Sequence, residues 1–288
     1  MALNFPSSPA DGDVYDNFVW DAAAAVWRPN RGTLASLKDV SITSPANGDY
    51  LYYNGTTWVN GNGYRLKDVL VYTADSTFTK ASYPWLRAMT IKMQGAGGGG
   101  GGAATTTATQ TAVGGAGGAG AYAEFFLTDL SGLASSATVT IGAAGAAGTA
   151  GANAGGNGSS TTFDTYTVGA GTGGAAGTAA ATNRVIAGAA GSSTFTNIPA
   201  GAITVDGSSG QPVWSLGATT PGTVMRGFGG RSFLSPGGIA GTTTTTGNGI
   251  TAAGYGGGGS GGYNALSQAT ARTGGAGSAG LIILELWA

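Results

Sequence analysis

After residue 94 the chain carries five acidic side chains, Glu124, Asp129, Asp164, Asp206 and Glu285, and no lysine occurs beyond Lys92. Two carboxylates in one cleft would cleave a glycosidic bond, one as general acid and the other as base or nucleophile. These five are widely spread. Glu124 and Glu285 sit inside strand-like stretches, where solvated strand faces are the plainer reading. The sequence has no histidine and no cysteine. Ser-His-Asp and Cys-His catalysis, histidine-based zinc or iron sites and a disulfide framework are therefore excluded. Carboxylate-pair chemistry, a lysine or tyrosine base, or no chemistry at all is what is left.

Glycine offers a second kind of chemistry. In IKMQGAGGGGGGAA (91–104), Gly95, Gly97 and Gly100 match G-x-G-x-x-G behind a strand-like run. A dinucleotide site then needs a helix and an acid about twenty residues further on. The chain continues instead with AATTTATQTAVGG (103–115), a poor helix former. A P-loop needs Gly-Lys-Ser/Thr, which the absence of later lysines forbids. Calcium-binding nonapeptides need a ladder of aspartates, and GGNGSSTTFD (155–164) supplies only Asp164. No cofactor and no metal are expected.

The elements that would position any site are unusual. Of 288 residues 57 are glycine, and from Gly95 onward the chain is mostly Gly, Ala, Thr and Ser. Glycine recurs at every third residue in Gly114–Gly117–Gly120, Gly142–Gly145–Gly148–Gly151, Gly171–Gly174–Gly177 and Gly274–Gly277–Gly280. A slack linker gains nothing from strict spacing. A helix of the polyproline II type has three residues per turn, so this spacing lines glycine along one edge and lets backbones approach. Collagen shares that geometry but needs abundant proline, and none lies in these runs. The expectation is a mainly β fold with bundled polyglycine II helices and no substantial α-helix. A small sheet is expected from AMTIKMQ (88–94), AYAEFFL (121–127), ATVTIG (137–142), STTFDTYTV (160–168) and LIILELW (281–287). LASLKDV (34–40) is the nearest approach to a helical period.

Residues 1–94 differ in kind, being rich in aromatic and charged side chains. SPADGD (8–13) recurs as SPANGD (44–49), each followed by an aromatic stretch ending in Trp and then by LKDV, at 37–40 and 66–69. YYNGTTW signals a hairpin through Asn54-Gly55. The reading is a β module at 1–40, a second module and linker at 41–70, and a glycine-rich domain at 71–288, with the boundary between about 63 and 72. Units of about thirty residues bury too little to stand alone, which points to association between chains, each unit packing its Trp and Tyr side chains around a shared axis; two small monomeric β modules on a string are the other reading. With 12 basic and 13 acidic residues, no nucleic-acid or anionic-membrane partner is expected. LIILELW is too short to span a bilayer, and MALNFPSSPADGD does not have the pattern of a signal peptide.

LASLKDVSITSPANGDYLYYNGTTWVN resembles the repeats of tailed-bacteriophage fibre and tail-appendage proteins. VYTADSTFTKASYPWLRAMTIKMQGAGGGGGG is similar to the opening of the glycine-rich C-terminal domain of such fibres. ATVTIGAAGAAG, GGNGSSTTF and GGAGSAGLIILELW resemble its later landmarks. The resemblance implies a non-enzymatic virion protein: a short trimeric tail fibre or fibre tip, held by a baseplate or other tail protein through its N-terminus. It would bind a bacterial surface glycan or outer-membrane protein. A tailspike-like glycan-degrading enzyme and an ice-binding protein, suggested by TTTTT (242–246), are the other classes. If glycine runs lead out from strand 88–94 and back into strands 121–127 and 281–287, loops 103–113 and 263–273 share the far end. That nominates Gln110, Tyr263, Asn264, Gln268 and Arg272 as receptor contacts. The stretch MRGFGGRSF adds Arg226, Phe228 and Arg231.

Overall fold

The structure, a computed structural model, describes residues 5–15, 18–29, 39–44, 49–61, 63–215, 224–225, 227–239 and 246–288. The chain divides into two compact units, Met1–Arg65 and Leu66–Ala288.

In the first unit, β1 (Val14–Tyr15), β2 (Phe18–Asp21) and β3 (Val26–Pro29) form an antiparallel sheet. A second small sheet holds β4 (Val40–Ser41), β5 (Tyr50–Tyr53) and β6 (Trp58–Gly61), with β4 parallel to β6. The two aromatic stretches fold alike. In each, a hairpin closes around a short loop, between Asp21 and Val26 and between Tyr53 and Trp58. The expected Asn54-Gly55 turn is present: Asn54 Oδ1 accepts the N–H groups of Thr56 and Thr57, and Gly55 takes φ +100°, a backbone conformation natural to glycine. Trp27 stacks on Phe5 at 5.0 Å between ring centroids and Tyr53 lies 5.5 Å from Trp58. LASLKDV (34–40) falls mostly outside the described residues. Its second copy lies in Leu66–Tyr72, a strand of the second unit, and the division after Arg65 falls within the boundary expected between about 63 and 72. Pairing with the C-terminal strand and burial of Leu70 and Tyr72 against its core draw it there.

The second unit runs β7 (Leu66–Tyr72), β8 (Ser76–Thr79), β9 (Ala88–Gln94), β10 (Ala112–Val113), β11 (Tyr122–Leu127) and β12 (Ser136–Thr140). Then come β13 (Thr161–Phe163), β14 (Tyr166–Val168), β15 (Arg184–Ile186), β16 (Phe195–Thr196) and β17 (Ile203–Val205). It closes with β18 (Val213–Ser215), β19 (Val224–Met225), β20 (Thr246–Gly247), β21 (Tyr263–Asn264) and β22 (Leu281–Trp287). One five-stranded sheet has the order β17-β11-β9-β22-β7 and another β16-β14-β13-β12-β8. Alternation decides how they meet. Met89, Ile91, Met93, Phe125, Ile282, Leu284 and Leu286 point inward from the first sheet, onto Phe78, Val139, Phe163 and Val168 of the second. Burying each such side chain stabilises by about 1.5–3 kcal/mol, and the two sheets form a sandwich.

Beyond the sandwich there is almost no side-chain core, and backbone hydrogen bonds replace it. Gly97, Gly98 and Gly99 donate to the carbonyls of Ser278, Gly118 and Gly156 at 2.9 Å. Gly100, Gly101 and Gly102 repeat the rotation onto Gly275, Gly115 and Asn153, three residues along the same three runs. The carbonyls address three more. Ala96, Gly99 and Gly102 accept from Gly171, Gly174 and Gly177; Gly97 and Gly100 from Gly145 and Gly148; Gly98 and Gly101 from Gly259 and Gly262. Run 95–102 therefore has six neighbours. Run 114–121 does too, bonding to the runs containing Gly98, Thr172, Ala189, Ser208, Gly230 and Gly259. A period of three in the hydrogen bonding is the finding, and it explains the six consecutive glycines. A Cβ added at any residue from Gly97 to Gly102 would lie well inside 3.0 Å of a neighbouring carbonyl oxygen. Where a run lies at the margin only every third position is enclosed: Gly142, Gly145 and Gly148 are buried while Ala143, Ala144 and Ala146 are exposed.

Substitution should follow that geometry. Gly99→Ala and Gly148→Val are expected to destabilise the second unit by about 3 kcal/mol or more, since backbone cannot retreat as a side chain does. Ala146→Ser should stay within about 0.5 kcal/mol of the parent. Thermal unfolding of the three variants checks both.

Candidate binding surface

Run 95–102 leaves β9 and ends in loop 103–113, run 114–121 returns into β11, and run 274–280 leads into β22. Loops 103–113 and 263–273 thus share the end of the glycine lattice away from the sandwich, and they bond to each other. Thr106 N–H donates to Gln268 O and Ser267 N–H to Thr107 O, both at 2.9 Å, while β10 pairs with β21. Ala180 and Thr111 exchange backbone bonds at 2.9 Å, adding loop 178–183. Val113, Val213, Val224, Tyr263 and Ala265, with Ile186 against them, make a small core beneath these loops.

The nominated residues separate into groups. Gln110, Gln268 and Arg272 are half-exposed on the loop cluster. Arg272 Nε donates to Thr246 Oγ1 at 2.8 Å and Gln268 Nε2 to Leu266 O at 3.0 Å. Tyr263 and Asn264 are corrections, being 2% and 0% exposed. Asn264 Nδ2 bridges Ala104 O and Thr270 O at 2.8 and 2.9 Å, and its Oδ1 accepts from Thr246 Oγ1. The two side chains leave β21 on opposite faces, Tyr263 into the small core and Asn264 among the loop carbonyls, so both hold the loops together. Phe228 and Arg231 are exposed but lie along the flank, where their carbonyls accept from Gln211 and Ser208. Arg226 falls outside the described residues.

A feature that no sequence motif announces is more prominent. Strands β15, β18 and β19 form a three-stranded sheet at the loop end. Their register sets Val185, Trp214 and Met225 side by side, 67%, 47% and 54% exposed, while Val213 and Val224 point into the small core. Asn183, Arg184, Val185, Trp214 and Ser215 line a concavity of about 250 Å³ beside the row. Arg184 Nη1 donates to Thr178 Oγ1 at 2.9 Å. An aromatic face, an apolar row and nearby amide and guanidinium groups are equipment for noncovalent recognition. The one signal in the sequence is that NRVIAG and QPVWSLG stand out from Gly/Ala/Thr surroundings.

The structure also brings together residues that the sequence spreads apart. On the outer face of the β17-β11-β9-β22-β7 sheet, Lys92 Nζ lies 2.5 Å from Glu285 Oε1 and 3.7 Å from Glu124 Oε1. Tyr122 Oη donates to Glu124 Oε2 at 2.8 Å, and Phe233 stacks on Tyr122 at 4.3 Å. Glu124 and Glu285 are thus half-buried members of one charge cluster and not separate solvated residues. Burial first, then the bond to Glu124, pushes the Tyr122 phenol well above its ordinary range. The bond to Glu285 raises Lys92 as well. Among the described residues, no three His, Cys, Asp or Glu side chains converge to hold a metal ion.

The family model for a glycine-rich domain matches residues 73–287. The chain belongs to that glycine-rich domain family. The match begins within the loop after β7 and takes in the rest of both sandwich sheets, the lattice and the loop end. No curated protein matches the chain.

Because the folded state of this glycine-rich domain holds the Tyr122 phenol and the Lys92 ammonium protonated, its stability should fall as pH rises above about 10, where the unfolded chain loses those protons first. Tyr122→Phe has no phenol to ionise and should decline less steeply. Denaturant titrations at neutral and alkaline pH compare the two slopes.

Proposed function

We propose that this protein is a structural component of a tailed-bacteriophage virion, a short trimeric tail fibre or fibre tip that binds a bacterial cell-surface receptor. The observation that carries this reading is the polarity of the second unit. Its side-chain core is gathered in the sandwich, and its varied loops and exposed Val185–Trp214–Met225 row lie at the other end of a lattice made almost wholly of backbone. In this reading the runs are polyglycine II helices. At about 3.1 Å per residue, residues 95–102 hold the loops about 25 Å from the sheet. A stiff mount almost without side chains leaves recognition to its loops. The order of fibre-like sequence landmarks supports the same reading, in which the role is adhesion with no catalytic step.

The first unit then serves assembly and attachment to a baseplate or tail protein. Tyr50, Tyr52, Tyr53 and Trp58 all remain at least 41% exposed in the single chain, and a threefold association gives them an interior. The ligand at the loop end is a surface glycan or an outer-membrane protein loop, both of which suit an aromatic face flanked by amide and guanidinium donors.

Two measurements test this. Light scattering should give three times the chain mass at micromolar concentration, and Trp58→Ala should weaken association by about 3 kcal/mol; a monomer mass for the parent protein would refute the trimer. Replacing Val185, Trp214 and Met225 together by Ser should leave the assembled protein folded while lowering adsorption to susceptible bacteria at least tenfold. Replacing all three avoids avidity masking a single weak change. Unchanged adsorption would remove this row as the contact surface.

A further inference from the structure

The charge cluster on the outer face of the β17-β11-β9-β22-β7 sheet adjoins a cavity of about 280 Å³, with Lys92, Gln94, Tyr122 and Glu124 on its polar side and Phe233, Leu234, Leu281 and Ile283 on its apolar side. The volume is at the small end for ligand sites. Its hydrogen-bonding inventory is lopsided. Lys92 Nζ is committed between Glu285 and Glu124, and Tyr122 Oη to Glu124. Gln94 is fully buried and its Nε2 donates to the carbonyls of Gly95, Gly120 and Ala121 at 2.9–3.2 Å. Its Oε1 is buried without a partner. Turning the amide over would set Oε1 against three carbonyl oxygens, so the orientation is fixed by its surroundings. An acceptor is orphaned, and two carboxylates face one ammonium.

We infer that this cavity binds a primary alkylammonium group, its charge held by Glu124 and Gln94 Oε1, with Glu285 adding negative charge from behind Lys92, and its carbon stem lying against Leu281, Ile283 and Phe233. A buried acceptor left unsatisfied is costly, and an ammonium supplies three donors together with the charge that neutralises the cluster. The stacked pair of Phe233 and Tyr122 adds an aromatic wall that favours a cation. Phe233 and Leu234 stand on a tight turn closed by the Ser232–Ser235 bridge and by Ser232 Oγ donating to Tyr255 O, so the apolar wall is anchored. A free diamine and a lysine side chain of another polypeptide share this chemistry.

The test is nuclear magnetic resonance of the full chain titrated with n-pentylammonium, 1-pentanol and pentanoate. Pentylammonium should saturate shifts of the Gln94 amide and the Tyr122 and Phe233 rings at least tenfold more tightly than pentanol, and pentanoate should not bind. Glu124→Gln should weaken pentylammonium about tenfold; if that variant unfolds, Glu285→Gln replaces it, and the three probes on the parent chain decide by themselves. Saturation by 1,5-diaminopentane or by Nα-acetyl-lysine amide supports the site, and the tighter of the two identifies the source. Equal affinity for alcohol and ammonium, or shifts confined to other residues, overturns the assignment.

Discussion

Two glycine runs at the centre of the second unit have almost no side chains with which to exclude water, so their stability rests on pairing nearly every backbone N–H and C=O. Each hydrogen bond contributes about 1 kcal/mol net, while a buried group left unpaired costs about 1–3 kcal/mol. Glycine also loses more conformational freedom on ordering than any other residue. A single run therefore gains nothing by forming alone. Run 95–102 needs all six neighbours, and those neighbours come from segments scattered between residues 114 and 280. The lattice forms as a whole, and the sandwich supplies the apolar burial that holds its first residues in place.

Register is the second consequence of building with glycine. Six identical residues carry no information about which one belongs opposite which neighbour. That information enters from the ends. Residues of β9 are fixed by Met89, Ile91 and Met93 in the core, and Ala103 exchanges backbone bonds with Arg272 at the far end. In run 114–121, Ala116 and Ala119 sit three residues apart and are fully buried, where they mark the positions at which that run tolerates a methyl group. Small departures from pure glycine thus locate a segment that would otherwise slide.

The sequence makes visible whatever has a period. AMTIKMQ and LIILELW alternate and are β9 and β22 end to end. STTFDTYTV breaks into β13 and β14, because Asp164 takes a positive φ between them. Glycine at every third residue gives away the period of the lattice, and the chain path then places loops 103–113 and 263–273 together. What depends on contacts distant in sequence is hidden. Nothing in LKDV at 66–69 says that it pairs with β22. Tyr263 and Asn264 read as loop residues, although both are buried, one in the small core and the other among loop carbonyls. Lys92 meets Glu285 across 193 positions, and Trp214 finds Val185 and Met225 only through strands of two or three residues, too short for any alternation to appear.

The rotating hydrogen bonds of run 95–102 also act as a reading frame. Adding one residue inside the run would turn every later N–H by a third of a revolution and aim it at the wrong neighbour. Adding three would restore each donor to its own partner, one step further along. Segments inside the lattice can therefore change length only in threes, and only together with their neighbours, whereas loops 103–113, 178–183 and 263–273 carry no such frame. By that rule a change of length is accommodated at the loop end and not in the lattice, so the surface free to diversify and the scaffold that must not are separated along one axis of the second unit.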